Sequence, residues 1–206
     1  DGTDDYVDVG AISAIPSATT LTVSAWVKDG DTASNAVVFG DDTSATPLFS
    51  VEYWGSNNYI YFEYGSGTFA YNTALRTHVI EDEWHHFVLV YDGGGAADAD
   101  KIKIYINGVA LSLIYNGTVP TSLSASIGNL WIGNGAKYNE PLDGSIDEFS
   151  IWDVALDADA VASVYNSGRP INLSENGPWP SNYDNSGDLV SWWRMGDNDS
   201  GAGNFV

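Results

Sequence analysis

Carboxylates, aromatic rings and three histidines are the side chains with chemistry to offer, and their spacing decides what that chemistry can be. Glu81-Asp82-Glu83 is the densest acidic run. It stands just before a strand rather than within one, and consecutive strand residues point to opposite faces. It cannot present the facing carboxyl pair that glycosidic hydrolysis needs, and it reads as a solvated turn. His85 and His86 are adjacent and point to opposite faces, so they pack and hydrogen-bond rather than chelate. His78 stands alone in a loop. With no cysteine, the chain has no thiol nucleophile, thiolate metal site or disulfide. Neither a Gly-x-Ser-x-Gly elbow nor a His-Glu-x-x-His helix occurs. The expectation is a domain without catalytic residues, not an enzyme.

Two other patterns carry more. Sugars stack their C–H faces on aromatic rings while amides and carboxylates bond their hydroxyls. Tyr53, Trp54, Asn57, Asn58, Tyr59 and Tyr61 have that chemistry, as does the loop Asn134-Gly135-Ala136-Lys137-Tyr138-Asn139. Trp54, Asn57, Tyr59, Tyr61, Asn134 and Tyr138 are the expected ligand-binding residues. The bland alternative is ordinary cross-strand aromatic pairing. The second pattern is Asp147, which by alternation shares the face of Phe149 and Ile151. A carboxylate on a core face needs a partner, and bases are scarce. A cation would serve; so would backbone N–H groups, if Asp147 caps a turn.

The elements that must position these residues are short strands. Leu21–Val27, Val37–Phe39, Leu48–Trp54, Tyr59–Tyr64, Trp84–Tyr91, Lys101–Ile106, Leu111–Tyr115, Asn129–Ile132, Ile146–Trp152 and Leu189–Met195 are β-branched, aromatic or alternating. Gly55–Asn58 reads as a hairpin loop and Asn107-Gly108 as a type I′ turn. One helix is expected over Ala158–Asn166, N-capped by Asp157 and ended by Gly168 and Pro170. Leu156, Val161, Val164 and Tyr165 would face a sheet. Many strands with a single helix near the C-terminus predict an all-β fold, a two-sheet antiparallel β-sandwich.

Several segments in this order resemble one family. They are Asp1-Gly2-Thr3-Asp4-Asp5-Tyr6-Val7, Leu21–Lys28, Glu83-Trp84-His85-His86-Phe87, Ile104-Tyr105-Ile106-Asn107-Gly108, and Leu142-Asp143-Gly144-Ser145-Ile146-Asp147-Glu148 running on to Trp152. Together they resemble the laminin-G-like jelly-roll domains of the concanavalin A-like lectin/glucanase superfamily over residues 1–168. The resemblance implies two curved sheets, a glycan- or protein-binding role outside cells or on virions, and often a structural calcium. For Ca2+ it implies the Asp147 carboxylate with main-chain oxygens from Asp1 or Gly2 and from Gly40. The glucanase branch carries Glu-x-Asp-x-Glu on one strand, and this sequence does not. Family members often open with a strand that is missing at this N-terminus, yet Gly187–Asp197 resembles it. The strand at 188–195 is therefore expected either to fold back beside the first strand or to be given to a neighbouring subunit. The implied organisation is a sandwich at 1–168, an ordered loop or linker at 169–187, and a terminal strand with a polar tail at 188–206.

Composition sets the surroundings. Lys and Arg number 7 against 28 Asp and Glu, a formal charge of −21. Such a surface is repelled by nucleic acid and by anionic lipid. No apolar run approaches the roughly 20 residues of a membrane span. The expected partners are a glycan or surface polysaccharide, with neighbouring copies or parts of a parent protein as the other class. The expected setting is extracellular, secreted or on a virion surface. The main alternative function is a structural or assembly subunit of a fibre, filament or decoration protein.

Overall fold

The computed structural model describes residues 2–43, 49–65, 67–137, 139–177 and 183–195. Thirteen strands lie among them: β1 (Val7–Gly10), β2 (Thr20–Asp29), β3 (Asn35–Asp41), β4 (Ser50–Trp54), β5 (Tyr59–Gly65), β6 (Thr68–Asn72), β7 (Trp84–Asp92), β8 (Ile102–Ile106), β9 (Val109–Ala110), β10 (Ile114–Asn116), β11 (Leu130–Ile132), β12 (Gly144–Trp152) and β13 (Leu189–Trp193). They form two antiparallel sheets. One runs β1-β11-β3-β4-β5-β6-β10, the other β13-β12-β2-β7-β8-β9. The sandwich expected from the alternation is the fold.

The core between the sheets follows from period-two patterning. Val23, Ala25 and Val27 of β2, Phe87, Leu89 and Tyr91 of β7, and Ile102, Ile104 and Ile106 of β8 face Phe39, Val51, Tyr53, Ile60 and Phe62 of the other sheet. Phe39 sits at the centre, edge-on to Phe149 at 5.5 Å between centroids. Burying such a ring contributes about 2–3 kcal/mol each.

The outer face of the six-stranded sheet is also covered. Helix α3 (Ala158–Tyr165; α1, Leu75–His78, and α2, Asp98–Lys101, are single turns) begins where Asp157 Oδ1 accepts the Ala160 N–H at 2.8 Å. It ends at Asn166 in the left-handed conformation. Leu156, Val161, Val164 and Leu173 pack on Val88, Val90, Tyr105, Trp152 and Trp192 in a second apolar cluster. The seven-stranded sheet therefore keeps the more open outer face.

Three expectations are corrected. Leu111–Tyr115 is not one strand: β9 stops at Ala110 and β10 begins at Ile114. The terminal strand β13 folds back within the same chain, as one of the two alternatives had it, but its neighbour is β12 and not the first strand. Asp147 does not share the core face of Phe149. The β12–β2 register shifts between Asp147 and Ser150, with Glu148 at φ +53. That bulge inserts one extra residue. It leaves Asp147 opposite Trp26, whose indole lies outside against His86 and Tyr165, while Phe149 still points inward.

Candidate functional site

The outer face of the seven-stranded sheet carries a diagonal ladder of rings. Trp54 of β4 stacks on Tyr61 of β5 at 5.1 Å with planes 6° apart. Tyr61 stacks on Phe69 of β6 at 4.3 Å, and Tyr71 of β6 meets Tyr59 at 5.0 Å. The register explains the stacking: Trp54 pairs with Tyr59 and Glu52 with Tyr61, so Trp54 and Tyr61 are diagonal neighbours on one face. Rings stacked this way show solvent mainly their edges. Tyr61 is 7% exposed, and the other four are half-buried.

The hairpin that aims Trp54 is fixed by contacts to its turn. Gly55 lies so close to the Ser34 carbonyl that any side chain would collide with it. Arg76 Nη2 donates to the Gly55 carbonyl at 2.6 Å. Asn57 is exposed at the tip and Asn58 takes φ +62.

Beside the ladder lie buried carboxylates. Glu52 is fully buried; Oε1 accepts the Ser50 hydroxyl and Oε2 the Trp54 indole N–H, both at 2.6 Å. Desolvation pushes its carboxyl up to about 7, and the negative charges of Glu63 and Glu140 add to the shift. Glu63 Oε1 lies 3.6 Å from Lys137 Nζ and accepts the Gly67 N–H. Glu140 Oε1 accepts from the Asn35 amide at 3.2 Å. Residues 133–137 and 139–141 lie against β3. The Val37 N–H donates to the Glu140 carbonyl at 2.8 Å. Gly40 and Gly135 meet so closely that a Cβ on Gly40 would lie 3.1 Å from the Gly135 Cα.

Of the expected ligand-binding residues, Trp54, Tyr59 and Tyr61 come together, and Asn57 lies at the adjoining tip. Asn134 is different: it is 1% exposed and its Oδ1 accepts the Gly135 N–H, so it faces the loop's interior. Tyr138 lies outside the described residues. The sequence reading missed Phe69 and Tyr71, because Thr68–Asn72 mixes polar, small and aromatic residues without an apolar alternation. Trp152 is fully buried under the covering segment of the other sheet and donates to the Tyr183 hydroxyl at 2.9 Å.

Among the described residues, the groups expected around Ca2+ lie in different surroundings. Asp147 Oδ1 accepts the N–H groups of Glu148 at 2.7 Å and Met195 at 2.9 Å. Asp147 lines a cavity with Trp26, Trp84, Gly168 and Pro170. Gly2 lines a different cleft, with Asp29, Asp31 and Asp143. Gly40 sits within β3 against Gly135, and Asp1 lies outside the described residues. Asp147 and Gly2 therefore do not line one cavity.

Comparison with known proteins agrees with the architecture. A laminin-G-type family model, described as the concanavalin A-like lectin/glucanases superfamily, matches residues 1–162. The chain belongs to that superfamily. No curated protein matches the sequence. Among solved structures, a candidate carbohydrate-binding protein from Bacteroides ovatus aligns at 14% identity with a TM-score of 0.60, over 92% of this chain and 48% of that one. Domain 4 of an extracellular arabinanase from Geobacillus stearothermophilus aligns at 20% identity and 0.54, over 76% and 71%. A heptameric pentraxin from Limulus polyphemus aligns at 20% and 0.53, over 76% and 75%. At these identities the likeness establishes the fold. The chain spans about half the length of the Bacteroides protein. No described helix is long and apolar enough to cross a membrane.

Proposed function

We propose that this domain is a non-catalytic carbohydrate-binding module that serves adhesion on an exported or virion-surface protein. The observation that carries the reading is the aromatic ladder on the open sheet face, with Trp54 at its β4 end and Asn57 beside it. Rings whose edges and end faces meet solvent next to an amide suit a neutral sugar. The arabinanase domain of the same fold was solved with arabinotriose, and the Bacteroides relative is a candidate carbohydrate binder; both support the reading. Glu52 and Glu63 are only 0% and 2% exposed. Neither carboxyl reaches solvent where a substrate would lie, which favours binding over hydrolysis. The strong negative charge favours neutral glycans over acidic ones.

The test is a screen of neutral polysaccharides by affinity electrophoresis, repeated with Trp54→Ala and Tyr71→Ala. Retardation by a glycan, weakened about 10-fold or more in Trp54→Ala with an unchanged melting temperature, is the expected result. A panel without retardation would remove the reading.

One observation favours the alternative of a self-assembling subunit. Tyr6 and Val7, at and beside edge strand β1, are 46% and 45% exposed, and they open onto a cleft of about 280 Å3 shared with Ile132, Leu142, Ile146 and Met195. Light scattering that shows ordered oligomers, lost in Val7→Lys, would favour it.

A further inference from the structure

Beyond the end of α3, the outer face of the six-stranded sheet holds a cavity of about 250 Å3, lined by Trp26, Trp84, Asp147, Gly168 and Pro170. Three neighbouring strands build its floor. Asp147 of β12 pairs with Trp26 of β2, and Lys28, two residues further along β2, pairs with Trp84 of β7. Trp26 and Trp84 are therefore diagonal neighbours on one face, with Asp147 across from Trp26. The turn after α3 supplies the remaining wall, where Gly168 takes φ +88.

The two rings differ in setting. Trp26 is nearly buried, fixed by His86 at 5.1 Å and Tyr165 at 6.0 Å between centroids. Trp84 is 45% exposed. Tryptophan is highly buried on average, so core packing does not account for one left open beside a cavity. A second space, of about 10 Å3, shares Trp26 and Pro170 with this cavity and is lined by Ser24, His86 and Glu148 among others. It has room for about one water. His86 Nε2 meets Ser24 Oγ at 2.8 Å, while its Nδ1 is buried with no partner among the described residues. His86 thus carries an unused polar atom behind Trp26.

The charge here is unlike that of the chain as a whole. Of the 7 Lys and Arg, three stand round this cavity. Lys28 is opposite Trp84, Arg169 lies between Gly168 and Pro170, and Arg194 Nε is 3.7 Å from Glu148 Oε1. These bases offset Asp147 and Glu148. An organic cation caged by the rings would gain little net field, whereas a neutral ligand loses nothing.

We propose that this cavity is a second carbohydrate site, which takes the single neutral sugar ring at the end of a glycan chain. Trp84 offers the open stacking face, Trp26 the fixed wall, and Asp147 an acceptor for sugar hydroxyls. A carboxylate can accept about four hydrogen bonds, and Asp147 Oδ1 receives the N–H groups of Glu148 and Met195. The cavity is smaller than the roughly 300–1,000 Å3 of drug-sized ligand pockets, so it suits one ring. The ladder, open across β4, β5 and β6, suits a chain laid along it. The proposal extends the carbohydrate reading to a second face and shares no residue with the ladder. With one site on each sheet, one domain holds two glycan chains at once.

The experiment is an NMR titration of the full chain that follows the tryptophan indole N–H signals. The probes are the methyl glycosides of glucose, galactose, mannose, xylose and arabinose. A single ring is too short to span the ladder, which separates the two sites. The expected result is a saturable shift of Trp84 and Trp26 with at least one glycoside, while Trp54 stays in place. Trp84→Ala should weaken binding about 10-fold or more with an unchanged melting temperature, and Trp84→Phe should keep most of the affinity. Asp147→Asn should weaken it several-fold, and Trp54→Ala should leave it unchanged. No saturable response of Trp84 to any of these glycosides would overturn the proposal. So would a response to tetramethylammonium chloride in their place, binding undiminished in Trp84→Ala, or binding lost in Trp54→Ala. Failure of the ladder with longer glycans would leave these outcomes as they are.

Discussion

Glu52→Gln should make the domain more stable, and by an amount that grows with pH. Glu52 is fully buried, and its carboxyl is lifted from 4.5 to about 7, mainly by desolvation. Between those two values the folded chain keeps a proton that the unfolded chain has released. The folded state then binds more protons, so stability falls as pH rises through the window. At about 1.4 kcal/mol per pH unit the full loss is about 3 kcal/mol, an order-of-magnitude figure. A glutamine cannot ionise, and it can keep both contacts. Its carbonyl can accept the Trp54 indole N–H, and its amide can donate to the Ser50 hydroxyl oxygen. The variant's advantage should therefore be small at pH 5 and about 2–3 kcal/mol larger at pH 8. In urea unfolding that is a midpoint gain on the order of 1 M. A difference that stays flat from pH 5 to pH 8, or that shrinks, would refute the reasoning.

Other groups titrate in the opposite sense. Burial lowers the His86 imidazole from 6.5 to about 3; the unfolded chain takes up that proton first, so stability falls as pH drops below about 6, and His86→Gln should flatten this acid limb of a pH–stability curve. Trp192 is 4% exposed and its indole N–H donates to Glu148 Oε2, so Trp192→Ala should cost about 3–5 kcal/mol. The same change should expose the segment before β13 to proteolysis, and unchanged resistance would show that β13 is not held by this anchor. Phe69→Ala removes a stacked ring from the middle of the ladder. It should weaken glycan retardation less than Trp54→Ala while lowering the melting temperature more, because Phe69 supports Tyr61 from behind.

The sandwich was legible in the sequence because a period of two is a direct imprint of burial. Ile102, Ile104 and Ile106 announced their strand and all three are core. Asp157 announced the start of α3 by local capping chemistry, whereas its end is made by Asn166 in the left-handed conformation rather than by Gly168. What alternation could not show was a change of phase. The bulge at Glu148 sits between residues that both look like ordinary strand, and it moved Asp147 to the outer face. Three of the five rings of the aromatic site were legible for a related reason. Trp54, Tyr59 and Tyr61 belong to one hairpin and are close in sequence. Phe69 and Tyr71 reach them only through the pairing of β5 with β6, a non-local fact.

The claim that matters most is that the ladder face binds sugar. Its most direct test is an NMR titration of the full chain that follows the tryptophan indole N–H signals while a neutral oligosaccharide is added. The Trp54 indole, bonded to Glu52, should shift progressively, and those of the buried Trp152 and Trp192 should stay in place. Silence of Trp54 with every glycan tried, or a response confined to tryptophans of the other sheet, would contradict the account.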